Sequence, residues 1–301
     1  MADLDDLLAK TSRTFALSIP LLPEPTRREV TVAYLLFRIA DTFEDSALWS
    51  QAKRIQALED FCTLLGEHSL AATEAATRAW TAVPPIDHAG YQELLSEVPF
   101  VLDAYFDLGE TARELVREHT VRTAVGMAGY VARTDERGRL RLRDLDDLRE
   151  YCYVVAGIVG EMLTELFLLG RAELVPIALD LRQRARSFGE SLQLVNILKD
   201  SAFDATEGRS YLPATVDRDE VFALARRDLR AAGEYILALQ GAHTDRGLVA
   251  FTALPVLHAY AALDKVEQEG PGAKITRDQV QQISRLLEYA LDHDLPVISL
   301  T

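Results

Sequence analysis

Four aspartates sit where carboxylates are costly. Asp41 and Asp45 close the stretch VTVAYLLFRIADTFED over residues 30–45. Asp200 and Asp204 close QLVNILKDSAFD over 193–204. Both stretches are otherwise dominated by apolar residues, and an unpaired charge against such a surface costs free energy. Helical rotation places Arg38, Asp41 and Asp45 within an arc of roughly 60°, and Gln193, Asn196, Asp200 and Asp204 within roughly 80°. Two like carboxylates one turn apart repel by about a few tenths of a kcal/mol on an open surface, and by more when desolvated. Divalent cations compensate for this. Mg²⁺ takes hard oxygen ligands, keeps waters, and is commonly held by carboxylates together with substrate phosphates. Two such pairs facing one another across a cavity would hold about two or three Mg²⁺ ions and clamp a diphosphate, neutralising it as its C–O bond breaks. A single DxxxD on a helix is ordinarily a solvated face. Two of them, each against an apolar run and each with Arg38 or with Asn196 and Gln193 alongside, call for more than that.

The elements that must position these groups read as helices. Helical periodicity runs over about 50–80, 91–130, 146–170, 173–203, 218–240, 246–268 and 276–292, with breaks at Pro84-Pro85, Arg133–Arg143, Glu207–Pro213 and Glu269–Gly272. Thr26-x-x-Glu29 has the form of a capping box ahead of the apolar run from Val30 to Ala40. Alternating strand patterns are scarce, Leu140–Arg143 being a short one. The expectation is a single all-α domain over residues 1–301, a bundle of roughly eight to ten helices around a central cavity. Gly157 and Gly160, three apart on one helix, allow a close approach by another helix or by an apolar substrate tail. The longest apolar run, Tyr151 to Gly170, carries Glu161 and Glu165 and reads as a buried helix rather than a membrane span.

Composition sets outer bounds. The 301 residues carry 32 Lys+Arg against 47 Asp+Glu, a net charge of −15. That excludes nucleic acid as a main partner and argues against simple adhesion to anionic membranes. It leaves an anionic substrate open, because the field in a cleft is set locally. Two cysteines, Cys62 and Cys152, make no disulfide framework or CxxC metal site. With an acidic N-terminus and a short polar C-terminal LDHDLPVISLT, the expectation is a cytoplasmic protein.

Five ordered blocks carry a resemblance. They are Ser12-Arg13-Thr14-Phe15; Arg38-Ile39-Ala40-Asp41-Thr42-Phe43-Glu44-Asp45; Tyr151-Cys152-Tyr153-Val154-Val155-Ala156-Gly157; Gln193-Leu194-Val195-Asn196-Ile197-Leu198-Lys199-Asp200; and Gly208-Arg209-Ser210-Tyr211-Leu212-Pro213. In order and spacing, from about residue 10 to 270, the sequence resembles the squalene/phytoene synthase family of head-to-head isoprenyl diphosphate synthases. The resemblance implies an all-α isoprenoid synthase fold and Mg²⁺-dependent condensation of two prenyl diphosphates, commonly farnesyl diphosphate. One diphosphate leaves to give an allylic cation, and the second prenyl double bond attacks it to form a cyclopropylcarbinyl diphosphate. A second ionisation and rearrangement follows in many members, with or without reduction by NADPH.

By the same resemblance, Asp41 and Asp45, with Glu44 as a helper, match the first metal-binding set, and Asn196, Asp200 and Asp204 the second. Arg38 matches a diphosphate contact. Ser12 and Arg13 match the segment that closes over a diphosphate, and Gln193, Lys199, Arg209 and Tyr211 fall in the corresponding binding blocks. Tyr151 matches the tyrosine beside the departing diphosphate and the reacting carbons. Read without the resemblance, Ser12-Arg13 serves equally as a helix cap, and Arg209 and Tyr211 as loop braces. Two departures stand out. Phe203 occupies the place of a frequent Glu before the last aspartate, which implies a leaner ligand set or a more apolar pocket wall. Lys199 stands where Arg is frequent, keeping the charge but losing the bidentate fork. Asp-Thr-Phe-Glu-Asp is closer to the squalene-forming branch. The alternatives are phytoene-type condensation of geranylgeranyl diphosphates, another prenyl transfer or a cyclisation on this fold, and a non-catalytic scaffold.

Overall fold

The computed structural model describes the backbone of residues 3–12, 14–136, 138–206 and 210–300, and the side chains of these residues except 204–206. The chain forms two compact units. One comprises residues 1–19 with 24–138, the other residues 20–23 with 139–301.

The first unit holds α1 (Leu4–Thr11), the short α2 (Phe15–Ser18), α3 (Thr26–Glu44), α4 (Gln51–Gly66), α5 (Leu70–Thr81), α6 (Ala89–Ser96), α7 (Val98–Phe106) and α8 (Glu110–Ala132). Its core is α3, whose apolar run from Val30 to Ala40 is buried on nearly every side against α1, α4, α7 and α8. The end of α3 that carries the aspartates is fixed by Phe43. This ring contacts Trp80 at 4.7 Å, Trp49 at 5.7 Å and Phe61 at 6.2 Å. Just beyond, the Ser46 hydroxyl donates to the Pro85 carbonyl at 2.8 Å, and Trp49 Nε1 to the Val83 carbonyl at 2.7 Å.

Local signals redraw several boundaries expected from periodicity. The 50–80 pattern divides at Ser69, whose hydroxyl caps α5 by accepting from Ala72 N–H. The 91–130 pattern becomes α6, α7 and α8, with Pro99 in the first turn of α7 and Gly109 ahead of α8. The helix that follows Thr26 begins one residue earlier than a cap at Thr26 would place it. Thr26 is already helical, and the capping position is held by Pro25, which has no side chain able to bond the first turn. A capping box with both hydrogen bonds forms at Thr276 and Gln279, at the start of the last helix.

The second unit holds α9 (Leu145–Cys152), a π-helical turn (Tyr153–Gly157), α10 (Ile158–Leu168), α11 (Ala178–Thr206), α12 (Arg218–Gly241), α13 (Arg246–Glu269) and α14 (Arg277–Asp292). The 173–203 pattern opens with a 3₁₀ segment, Ala172–Ile177, because Pro176 lacks the N–H that an α-helix needs. Here α11 is central, packed on α10, α12, α13 and the π-helical turn. Phe188 of α11 stacks on Tyr235 of α12 with centroids 5.1 Å apart, and the Tyr235 and Thr164 hydroxyls lie 3.0 Å apart. The alternating Leu140–Arg143 segment forms an isolated parallel bridge between Arg141 and Ser210. Among the described residues this is the only strand-like pairing.

Two segments, Leu145–Leu168 and Arg246–Glu269, are long and apolar enough to cross a membrane by length and composition, and 61% and 72% of their most apolar windows are buried in the protein. The Tyr151–Gly170 run is thus largely core, as its sequence predicts, but the π-helical turn divides it.

Candidate active site

The C-terminal half of α3 delivers the first cluster. Arg38 Nη1 lies 3.2 Å from Asp41 Oδ2, one turn apart as the spacing requires. Its Nη2 donates to the Tyr34 hydroxyl at 3.0 Å, and that hydroxyl donates to the Thr11 carbonyl at 3.0 Å. The guanidinium carbon lies 5.5 Å from the Tyr34 ring centre and 5.4 Å from that of Tyr91. Burial works against the Arg38 charge, but Asp41 and the two tyrosines outweigh it and hold the guanidinium above its ordinary pKa. Burial pushes the Asp41 carboxyl up, Arg38 pulls it back, and Asp45 pushes it up again, leaving it at about 6. Asp45 terminates the helix, its N–H bonded to the Asp41 carbonyl at 2.8 Å. Glu44 is buried, and its carbonyl accepts from the Arg54 guanidinium. Arg38 keeps a buried donor, Nε, without a hydrogen-bond partner.

The second cluster lies on α11. Leu194, Val195, Ile197 and Leu198 are buried, while Gln193 and Asp200 are half-buried and Asn196 exposed, which is the polar stripe the rotation predicts. Lys199 Nζ donates to Asn196 Oδ1 at 3.0 Å and lies 3.3 Å from Asp200 Oδ2. The cation therefore pairs with the stripe itself. Asp204 belongs to α11 by its backbone, and its side chain lies outside the described residues. Phe203 is 62% exposed, so it is not part of the apolar core.

Tyr151 closes α9. It is 3% exposed, and its ring stacks on Tyr211 with centroids 4.9 Å apart and planes 24° apart. The structure thus brings together two residues from separate sequence blocks. Ser12 ends α1, and its hydroxyl accepts from the N–H of Phe15, the first residue of α2, at 3.0 Å. Arg13 and Arg209 lie outside the described residues. The sequence reading missed Tyr34 and Tyr91. Tyr34 was legible, since it precedes Arg38 by one turn on the same face. Tyr91 carried no such signal, because it arrives from α6.

All candidate donors around the aspartates are carboxylate or amide oxygens, the ligand chemistry that Mg²⁺ takes. The helical architecture defines the class. A structure of the squalene synthase TcSQS with a bound ligand superposes with a TM-score of 0.79 at 26% identity, covering 94% of this chain and 84% of that one, which establishes the isoprenoid synthase fold. A dehydrosqualene synthase structure shares the fold at 19% identity and a TM-score of 0.52. The profile of the family described as squalene/phytoene synthase matches residues 8–220, and the chain belongs to that family. It is 30% identical to the squalene synthase of Schizosaccharomyces pombe over 210 residues, which is 70% of this chain and 43% of that protein. It is 31% identical to the squalene synthase of Rattus norvegicus over 209 residues, 69% and 45% of the two chains. The chain spans somewhat less than half the length of these curated relatives.

Proposed function

We propose that the protein is a prenyltransferase that condenses two farnesyl diphosphates head to head to presqualene diphosphate and onward to squalene or a related thirty-carbon product. The observation that carries this reading is the Arg38–Asp41–Asp45 face. It sets a permanently charged guanidinium, with a donor unspent, beside carboxylates held against a buried helix.

Asp41 and Asp45, with Glu44 alongside, supply one set of metal ligands, and Asn196, Asp200 and Asp204 supply another. Mg²⁺ held by these residues would be shared with water and substrate phosphate, as it ordinarily is. Bound Mg²⁺ supplies charge neutralisation of the leaving diphosphate. Arg38 and Lys199 hold diphosphate oxygens, with Ser12, Arg13, Gln193, Arg209 and Tyr211 completing the binding set. The C–O bond of the first substrate breaks with both electrons passing to the diphosphate. The double bond of the second then forms the new C–C bond, and loss of one proton closes the cyclopropane. Tyr151 is the polar group assigned to the reacting carbons. Its phenol either moves the proton or stabilises positive charge. The apolar faces of the helices exclude water from the cation. The protein works in the cytoplasm and meets the membrane to release an apolar product.

Mass spectrometry of products from farnesyl and geranylgeranyl diphosphate, with Mg²⁺ and with or without NADPH, tests this. A thirty-carbon product is expected from farnesyl diphosphate, and the NADPH arm shows whether reduction follows. Well-folded protein that turns over neither substrate defeats the synthase reading.

A further inference from the structure

A π-helical turn interrupts the ordinary helix ladder and recurs at functional sites. In this chain it begins two residues after Tyr151, at Tyr153. It lies tight against α11. A Cβ on Gly189 would stand 2.0 Å from the Ala156 carbonyl oxygen, and one on Gly160 2.1 Å from that of Ala185. At this contact α11 presents Arg186 and Glu190. Arg186 Nε donates to Glu190 Oε1 at 2.5 Å, and the same guanidinium lies over the Tyr153 ring, 4.4 Å from its centre. The Tyr153 hydroxyl donates in turn to Glu161 Oε2 at 3.4 Å. Glu190 is 1% exposed. Asp228 of α12 is also buried, and Arg149 of α9 acts on both acids. Glu190 is taken out of water while the Arg186 side chain stays 39% exposed, and such a half-buried pair is a poor source of stability, because the desolvation of one partner offsets much of the attraction. Fold stability alone therefore does not account for this one.

We propose that Glu190 and Arg186 are positioning residues for Tyr151. Glu190 holds the Arg186 guanidinium on the Tyr153 ring, the ring fixes the π-helical turn, and the turn sets how Tyr151 meets Tyr211. The chain of contacts runs from the middle of α11 to the end of α9 without touching substrate. The inference rests on the prenyltransferase reading in giving Tyr151 its role, but its structural half stands apart from that reading.

The test uses the full chain with Glu190→Gln, Arg186→Met, their double variant, Tyr153→Leu and Tyr153→Phe. Wild-type turnover of farnesyl diphosphate is measured first. If it is absent the parent reading fails, and crystal structures of the variants alone decide the positioning role. With turnover present, Glu190→Gln and Arg186→Met lower kcat by about tenfold to a hundredfold, the cost of a small misplacement, with KM within about twofold. The double variant is no worse than the poorer single one, since the two act as a unit. Tyr153→Leu shows the same fall in kcat, and Tyr153→Phe, which keeps the ring under the cation, recovers most of it. In crystals of Glu190→Gln and Tyr153→Leu, the Tyr151–Tyr211 stack departs from 4.9 Å. Folded variants with wild-type kcat, or with an unmoved stack, overturn the proposal. Should Glu190→Gln fail to fold, Tyr153→Leu decides, because it leaves the Arg186–Glu190 pair intact.

Discussion

Asp41 and Asp200 each lie beside a cation, Arg38 at 3.2 Å and Lys199 at 3.3 Å. Such pairs on partly exposed helix faces add little to stability. Asp41→Ala and Asp200→Ala are therefore expected to leave helical circular dichroism and thermal unfolding nearly unchanged. Turnover should fall by more than the roughly 10–100-fold that changes to the partners of metal ligands cost. Near-normal rates in either variant would remove that aspartate from the metal set. Glu190 gives a second residue-level prediction. Burial raises its carboxyl from 4.5 to about 7, against the pull of Arg186. The folded state thus holds this proton more tightly than the unfolded chain does. The associated stability is full below about 4.5 and is lost as pH rises through about 7. Asp228, also raised by burial, adds the same sign. Denaturant titrations of Glu190→Gln should show a flatter decline between these values, with a difference on the order of 3 kcal/mol at most.

At the scale of elements, glycine spacing decides how α10 and α11 meet. Gly157 and Gly160 left two readings open, a helix or a substrate tail against them. The structure gives the helix. Gly160 meets the Ala185 backbone, and Gly189 of α11 meets Ala156 in return. Gly160→Ala and Gly189→Ala must push backbone from backbone, and each is expected to lower the Tm by several degrees, the effect of roughly 2 kcal/mol or more in a chain of this size. Gly129, inside α8 with nothing near its missing Cβ, is the control. Gly129→Ala should stabilise by about 0.5–1 kcal/mol, since only the entropic cost of glycine is removed. Calorimetry of the three variants separates a packing glycine from a tolerated one. The π-helical turn belongs to this scale too. Helical periodicity runs straight through residues 146–170, and one extra residue in a turn leaves no mark on an apolar pattern.

For the molecule as a whole, the net charge of −15 sets the problem that its ligand must overcome. On the proposed reading an anionic substrate would meet an acidic protein, and Mg²⁺ with a few cationic side chains would reverse the local sign. Inorganic diphosphate with Mg²⁺ is therefore expected to raise the Tm, by the equivalent of about 2.7 kcal/mol at a hundredfold excess over Kd, while either alone does much less. Chelation with EDTA should return the Tm to its starting value. A diphosphate shift that survives EDTA would show that the cationic side chains suffice.

The all-α class, the one-turn placement of Arg38 beside Asp41 and of Asn196 beside Asp200, and the acidic balance were determined by the sequence alone. These depend on composition and on the fixed rotation of a helix, which relates residues only a turn apart. The tertiary structure decided what arrives from elsewhere in the chain. Tyr91 comes to Arg38 from α6, Tyr211 to Tyr151 across some sixty residues, and α11 to the π-helical turn through Gly189, with Glu190 buried beside it. Burial and the low dielectric that comes with it are properties of the packed core. No local spacing could therefore show that one glutamate of α11 would be held inside, on an arginine, beneath the turn that follows Tyr151.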